Sequence, residues 1–178
     1  YKGVSQCADC DGPMFQGQDV VVVGGGDSAL QEALVLSRYC ANVRIVHHRS
    51  ELSAHPYLQH ALQSCGNATV VPMTELTAIE GGSVVEAVRV RSLSDGSERT
   101  MPCSGVFVYV GLVPAADFLP GSVSRDPSGA VVTSERLETS LVGVFAAGAV
   151  RAGYQGTLAD AVRDAESAAT AVLQDLRD

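Results

Sequence analysis

Apolar residues in the first part of the chain fall into short β-branched runs on either side of one stretch with helical spacing. The run Asp19–Val23 predicts a buried parallel strand, and three glycines follow it directly. Asp27 then begins a predicted helix that continues to about Tyr39 and carries its apolar residues on one side. Residues 43–46 are a second predicted strand. A strand, a glycine turn, a helix and a strand in this order are typical of a βαβ unit.

The pattern changes after a short predicted helix at residues 56–64 and a predicted strand at residues 69–71. Three apolar runs then follow one another, separated by the turn pairs Gly81-Gly82 and Asp95-Gly96. These runs are residues 74–80, 84–92 and 100–110. Because such turns join neighbouring antiparallel strands, the sequence predicts a β-meander after the parallel core.

A stretch rich in Pro, Gly, Ser and Asp from Gly111 to Gly129 predicts a domain boundary. Beyond it, residues 130–133 and 144–147 are predicted strands, and residues 157–176 are a predicted helix with an apolar side. The fold class that follows is α/β. A Rossmann-like nucleotide-binding domain, with a parallel sheet and an antiparallel β-meander, precedes a second, smaller region.

Composition and charge narrow the classes of protein that fit this pattern. The 178 residues are 46% hydrophobic and 18% charged, which excludes a disordered chain. Twelve Lys and Arg against twenty Asp and Glu give a net charge of -8, which argues against nucleic acid or an anionic membrane as a partner. Five scattered cysteines indicate a reducing compartment, the cytoplasm, rather than a disulfide scaffold.

The glycine turn carries the first candidate site, because residues 24–29 fit the G-x-G-x-x-G/A fingerprint of dinucleotide-binding folds. The first Gly allows a tight turn, and the second lets the backbone approach a pyrophosphate. The small third residue lets the helix pack closely on the strand. The motif predicts NAD or NADP binding, with a glycine-rich structural turn as the alternative. Its candidate residues are Gly24, Gly26, Asp27, Ser28 and Ala29.

The end of the second predicted strand bears on the choice between NAD and NADP. An acidic residue at this position would bind the ribose 2′-hydroxyl of NAD, but the sequence has none directly at the strand end. Arg49, together with His48, is suited to contact the 2′-phosphate of NADP instead. The alternative is a solvated polar loop without a ligand.

Cys7 and Cys10 form a C-x-x-C pair. Because no second such pair and no suitably spaced His pair accompanies it in the sequence, a redox-active dithiol without metal is favoured. A zinc site and two inert cysteines stay open as alternatives. The thiolate is the attacking species in thiol–disulfide exchange, and Asp11 follows the pair directly, where it could move the proton.

These motifs, in this order, resemble the low-molecular-weight thioredoxin reductases. The resemblance implies that residues 1–107 are an NAD(P)-binding domain with the redox motif. It implies that residues 108–178 are the C-terminal portion of an FAD-binding domain. It also implies that the chain is a fragment without the N-terminal FAD half, which by itself binds FAD weakly or not at all. The matching stretches are residues 3–12, 22–29, 43–49, 105–111 with Pro114, and 139–148.

The resemblance also implies roles for the candidate residues. Electrons would pass from NAD(P)H through FAD to the Cys7–Cys10 disulfide, and on to the disulfide of a thioredoxin-like protein. Cys10 matches the thiol nearest the flavin, Cys7 the thiol that attacks the partner, and Asp11 the acid/base. A homodimer is implied as well. Further implied cofactor contacts are Gly111, Gly148 and Thr157.

Three departures from the family pattern bear on the cofactors. His48 and Ser53 stand where the family has Arg, so only Arg49 remains for the 2′-phosphate, and we expect a weaker preference for NADPH than the family norm. Ala149 stands where an Asp holds the flavin ribityl chain. Residues 156–158, Gly-Thr-Leu, replace an Arg-Gln-Ala segment beside the flavin ring.

Two other functions therefore stay open. Ala149 and the altered segment 156–158 favour a non-catalytic nucleotide-binding or regulatory module with a decayed flavin site. The same two cysteines, used in reverse, would serve a dithiol oxidase that forms disulfides in a small molecule. A yellow whole protein that NAD(P)H bleaches would favour the reductase, and oxygen consumption with a dithiol would favour the oxidase.

Overall fold

A computed structural model describes residues 2–177 and divides into two compact units, one ending at Gly111 and the other beginning at Leu112. Among these residues, no helix is long and apolar enough to cross a membrane. The strands, all in the first unit, are β1 (Val4–Ser5), β2 (Asp19–Val23), β3 (Asn42–Val46), β4 (Ala68–Val71), β5 (Thr74–Glu80), β6 (Ala87–Ser92), β7 (Glu98–Pro102) and β8 (Gly105–Val108). The α-helices are α1 (Ala8–Asp11), α2 (Asp27–Leu36) and α3 (Pro56–Gln63) in the first unit and α4 (Leu158–Asp175) in the second.

The first unit is built on a five-stranded parallel sheet with the order β1-β8-β2-β3-β4. The valines of β2 are buried because this strand lies at the centre, paired with β3 on one side and β8 on the other. Leu30 and Leu36 of α2 pack in the same core cluster as Val20 and Val22. The predicted βαβ unit is confirmed. Helix α2 ends three residues earlier than predicted, because residues 37–39 form a turn.

The predicted meander is the antiparallel sheet β5-β6-β7, which buries Val88 and Val90. The prediction of one strand over residues 100–110 is wrong, because β7 stays in the meander while β8 joins the parallel sheet beside β2. The Ser104 amide between them donates to the Asp19 carbonyl at 2.8 Å. Gly105 then makes room for the ring of Phe15, which would lie 2.6 Å from a Cβ at that position.

Other first-unit predictions need smaller corrections. Strand β6 begins at Ala87 rather than at residue 84, because the Val85 amide donates to the Lys2 carbonyl outside the meander. Strand β1 was missed, since two residues are too few to show an alternating pattern.

The second unit holds α4 and, among its described residues, no strand. The strands predicted at residues 130–133 and 144–147 are wrong, because single bridges through Val131 and Phe145 take their place. Helix α4 is confirmed, but its predicted apolar side is not buried: Leu158 is 81% exposed, whereas Asp160 and Asp164 are buried. These two carboxylates make hydrogen bonds within the unit, which is what allows a charged group to be buried.

Candidate functional site

A cleft of about 570 Å³ lies at the carboxyl ends of β2, β3 and β8 in the first unit. Ligands of open α/β sheets bind at this edge, because the glycine turn and the start of the following helix meet there. The cleft brings together eight of the residues that the sequence predicted to bind a cofactor. They are Gly24, Gly26, Asp27, Ser28, Ala29, His48, Arg49 and Gly111.

The glycine turn is held closely by its surroundings. Gly24 has φ +138°, and its amide donates to the Val46 carbonyl at 3.0 Å. A Cβ on Gly24 would lie 2.2 Å from the Tyr109 carbonyl oxygen, so a side chain cannot be accommodated. Ala29 is buried directly beneath, its Cβ 3.2 Å from that same point. The small side chain of Ala29 therefore lets α2 pack closely against the turn, and the turn stays open to a ligand on its other side.

Asp27 and Ser28 are exposed at the start of α2, where backbone N–H groups favour an anionic ligand. The Asp27 carboxylate accepts a hydrogen bond from the His55 amide at 2.6 Å, which fixes its position. The side chains of His48 and Arg49 are exposed just beyond β3. Within residues 2–177, Arg49 forms no ion pair, so its guanidinium is available to a phosphate.

Sequence reasoning did not single out His47, which is buried under the glycine turn. Its Nε2 donates to the Glu51 carbonyl at 2.7 Å, and its Nδ1 has no partner among the described residues. Ser53 also holds the glycine turn in place, because its amide and its hydroxyl both donate to the Gly25 carbonyl. The cleft is therefore lined by fixed backbone and has two exposed basic side chains at its edge. These features fit a dinucleotide.

Cys7 and Cys10 form a disulfide, with Cα atoms 5.3 Å apart, at the start of the short helix α1. Cys7 is the N-cap, and its Sγ accepts a hydrogen bond from the Cys10 amide at 3.2 Å. Cys7 is half-buried and Cys10 is exposed. Across residues 2–177, no group of three or more His, Cys, Asp and Glu side chains is arranged to hold a metal ion.

Asp11 lies at the end of α1 and is half-buried. Its carboxylate accepts a hydrogen bond of 2.5 Å from the Ser5 hydroxyl, which itself accepts from the Cys7 amide at 3.1 Å. Ser5 thus joins the candidate acid/base to the first residue of the disulfide. Sequence reasoning did not single out Ser5, because β1 was not predicted.

Glu32 and Tyr109 are two further residues at the disulfide that the sequence did not indicate. One carboxylate oxygen of Glu32, on α2, accepts from the Ala8 amide at 2.6 Å and from the Tyr109 hydroxyl at 3.1 Å. Burial, and next the negative charge of Glu32, raises the pKa of Tyr109, so the phenol stays protonated and donates.

Gly148 and Thr157 lie in the second unit, where their polar groups already have partners. The Gly148 amide donates to Asp164 at 3.0 Å, and the Thr157 hydroxyl donates to Asp160 at 2.6 Å in a capping box. The Ala149 methyl offers no acceptor for a ribityl hydroxyl. The Gly148 amide and the Thr157 hydroxyl are thus both bonded within the second unit.

The Asp164 carboxylate is further engaged by Arg151, whose Nε and Nη2 donate to it at 2.5 and 2.6 Å. The hydrogen bond from Arg151 is the main cause that lowers the pKa of Asp164, and the hydrogen bond with Thr157 lowers the pKa of Asp160. Both aspartates are therefore fixed, charged parts of this unit.

Comparison with known proteins identifies a family and several similar enzymes. The pattern of the family described as pyridine nucleotide-disulphide oxidoreductase matches residues 1–174. A thioredoxin reductase of Listeria innocua is 44% identical over 152 residues, which cover 85% of this chain and 48% of the relative. The chain thus spans about half the length of the curated relatives it matches.

Solved structures of thioredoxin reductases are similar as well. The T. acidophilum enzyme is 34% identical with a TM-score of 0.91, over 99% of this chain and 59% of that one. The Lactococcus lactis enzyme is 33% identical with a TM-score of 0.88, over 97% of this chain and 59% of that one.

Proposed function

The chain belongs to the pyridine nucleotide-disulphide oxidoreductase family, and from this premise we propose that it is part of a thioredoxin reductase-like enzyme. The NAD(P)-binding domain, predicted at residues 1–107, then extends to Gly111, where the first unit ends, and the rest of the stretch predicted at 108–178 is the C-terminal portion of an FAD-binding domain. One observation carries the proposal: a single unit contains both the dinucleotide-type cleft and the Cys7–Cys10 disulfide.

In this proposal the nucleotide lies over the glycine turn. The backbone at Gly24 and Gly26 and the N–H groups at Asp27 and Ser28 receive the pyrophosphate, as at other helix starts. Arg49 and His48 face the 2′-phosphate of NADP. Gly111 is at the rim of the same cleft. When bound, NAD(P)H supplies a hydride, which is two electrons and one proton.

The disulfide exchange step uses Cys7 and Cys10. Two electrons and two protons convert the disulfide to two thiols. Cys7 as thiolate attacks one sulfur of the partner's disulfide, and the other partner sulfur leaves as a thiolate and takes up a proton. Cys10, deprotonated in turn, attacks the Cys7 sulfur, so the Cys7–Cys10 disulfide re-forms and the partner leaves as a dithiol. Asp11, held by Ser5, transfers the protons.

The resemblance implies that FAD relays the electrons between the nucleotide and the disulfide in the whole protein. Gly148 and Thr157 are the proposed flavin contacts of the second unit, and their polar groups are bonded within that unit. The proposed partner is a thioredoxin-like protein disulfide, and the proposed setting is a cytoplasmic homodimer.

The test is oxidation of NAD(P)H by the whole protein with an oxidised thioredoxin, followed by the absorbance of the reduced nicotinamide. The Cys10→Ser variant should lose thioredoxin-dependent turnover and keep nucleotide binding. Cys65→Ser is the matched control, because Cys65 lies outside the disulfide and should leave turnover unchanged. Undiminished thioredoxin-dependent turnover in Cys10→Ser would contradict the proposal.

A nucleotide-binding regulatory module is the second candidate, favoured by the hydrogen bond that closes Gly148 onto Asp164 beside Ala149. The same measurement separates the two candidates. A whole protein that binds NAD(P)H without oxidising it, with thioredoxin or with oxygen, would be the module. Oxygen consumption driven by a small dithiol would instead identify a dithiol oxidase.

A further inference from the structure

The carboxylate of Glu32 connects the disulfide helix to the nucleotide-binding core of the first unit. Helix α1 packs against α2, and Glu32 reaches from α2 to the Ala8 amide, the first N–H of α1 after Cys7. The Tyr109 hydroxyl donates to the same carboxylate oxygen. Sequence separations of 24 residues to Ala8 and 77 to Tyr109 show that the tertiary fold creates this arrangement.

Tyr109 is itself fixed beside the glycine turn. Its amide donates to the Val23 carbonyl at 2.8 Å, and its own carbonyl lies against Gly24. Its phenol then extends to Glu32. The glycine turn, Tyr109, Glu32 and the first residue after Cys7 thus form a continuous chain of contacts.

The charges around Cys7 oppose a thiolate. A C-x-x-C pair at a helix start usually has a lowered thiol pKa, because the free N–H groups and nearby cations stabilise the thiolate. Here the Cys10 amide does donate to Cys7 Sγ, but Glu32 takes the first N–H of α1, and Asp9 and Asp11 add negative charge in the same helical turn. The sequence from residue 3 to residue 37 contains no Lys, Arg or His. Among the described residues, Tyr109 is the one titratable side chain that bonds to Glu32, and it is a neutral donor that does not cancel the negative charge.

We propose that Glu32 is a positioning residue of the Cys7–Cys10 pair, fixing the start of α1 and disfavouring the Cys7 thiolate. Cys7 of the reduced pair would then react more slowly with electrophiles than it would without the Glu32 charge. The inference rests on the proposed redox function of the pair, and it assigns Glu32 and Tyr109 control over how fast Cys7 reacts.

The test uses the 178-residue chain reduced with dithiothreitol and desalted, and follows alkylation by iodoacetamide as a function of pH. Tandem mass spectrometry of peptides reports Cys7 separately from the other cysteines. Glu32→Gln keeps an oxygen for the Ala8 amide and removes the charge. We expect Cys7 alkylation at pH 7 to be about tenfold faster in this variant, with the pH midpoint lower by about one unit.

Two further variants define the outcome. Tyr109→Phe removes a donor that partly neutralises the Glu32 charge, while the Ala8 amide keeps the carboxylate in place, so we expect Cys7 alkylation to slow by about two- to threefold. Glu98→Gln removes one exposed carboxylate elsewhere in the unit and should leave the rate unchanged. If Glu32→Gln fails to fold, as shown by circular dichroism, the Tyr109→Phe rate decides.

A wild-type pH profile in Glu32→Gln, or equal shifts in Glu32→Gln and Glu98→Gln, would overturn the proposal. So would an unchanged rate in Tyr109→Phe if that variant has to decide. Neither NAD(P)H nor a protein disulfide enters the measurement. The result therefore stands or fails separately from the turnover test of the proposed function.

Discussion

The Gly25 backbone lies directly against the His47 ring, so that a Cβ on Gly25 would be 2.2 Å from His47 Nδ1. Because the His47 ring is buried and held by the Glu51 carbonyl, it cannot move aside. A side chain at Gly25 would therefore displace the turn that faces the nucleotide.

We expect Gly25→Ala to weaken NAD(P)H binding by at least about tenfold and to lower the free energy of unfolding by about 1–3 kcal/mol. Nucleotide titration by fluorescence and chemical denaturation measure the two effects. Gly66→Ala is the matched control, because a Cβ there meets no heavy atom within 4 Å. Unchanged nucleotide affinity in Gly25→Ala would show that the ligand does not lie over this turn.

Arg49 should provide most of the preference for NADPH. A lost charge-assisted contact costs about 1.5–3 kcal/mol, so Arg49→Ala should weaken NADPH binding by about one to two decades and leave NADH binding nearly unchanged. Competition titration of both nucleotides measures this, with the exposed Arg38→Ala as control. An equal loss for both nucleotides would contradict the assignment. So would a wild-type preference for NADPH of about a thousandfold or more, since one arginine cannot supply it.

The sequence predicted the features that depend on neighbouring residues. The glycine turn at Gly24 and the Cys7–Cys10 pair are local patterns, so their chemistry could be inferred from spacing alone. The division of residues 100–110 between two sheets could not, because the Ser104 amide finds its partner, Asp19, 85 residues away in the sequence. A run of apolar residues fits either sheet equally well.

Polar groups that act through long-range contacts were missed for the same reason. Glu32 looks like an ordinary surface residue of an amphipathic helix until α1 and Tyr109 are placed beside it. In α4 the apolar spacing predicted the wrong buried side of the helix. Asp160 and Asp164 are buried instead, and the hydrogen bonds that stabilise them there cannot be seen in the periodicity of the sequence.

The free cysteines should differ sharply in reactivity. Burial raises the pKa of Cys40 and of Cys103 to about 11 each, and the charge of Asp19 adds to both. At pH 8 only about one molecule in a thousand carries either thiolate. In the native oxidised chain, a disulfide reagent should therefore modify half-buried Cys65 first, and Cys40 and Cys103 only after denaturation.

Mass spectrometry during the labelling reaction measures this order. The Cys65→Ser variant should lose the fast phase and keep the slow one. Labelling of Cys40 or Cys103 at the rate of Cys65 would mean that the core of the first unit opens on that timescale.

Acid should destabilise the second unit through Asp164. Its pKa is lowered in the folded chain, chiefly by the hydrogen bond from Arg151. The stabilisation is thus present above the unfolded pKa of about 3.9 and is lost as the pH falls through the lower folded value. Asp164→Asn should cost about 1.5–3 kcal/mol at pH 7, and this difference from wild type should shrink below about pH 4.

Thermal unfolding at several pH values measures the effect, with the exposed Asp117→Asn as control in the same unit. A difference between Asp164→Asn and wild type that stays constant down to pH 2 would contradict the ion-pair explanation. The buried position of Asp164 and its two donors would then have to stabilise the unit without its charge.

The 178-residue chain should purify colourless and should not retain FAD. The Gly148 amide is bonded to Asp164 and the Thr157 hydroxyl to Asp160, so neither group is a free donor for a flavin in this chain. Absorbance in the flavin band after incubation with excess FAD and desalting measures retention. The Ala149→Asp variant tests whether a missing carboxylate is the cause. We expect it to stay colourless too, because the new carboxylate would leave both hydrogen bonds in place. A yellow wild-type chain would show that this unit binds flavin with groups other than Gly148 and Thr157. If only the Ala149→Asp chain is yellow, the replacement of the family's Asp by Ala149 is sufficient to explain the loss of flavin binding.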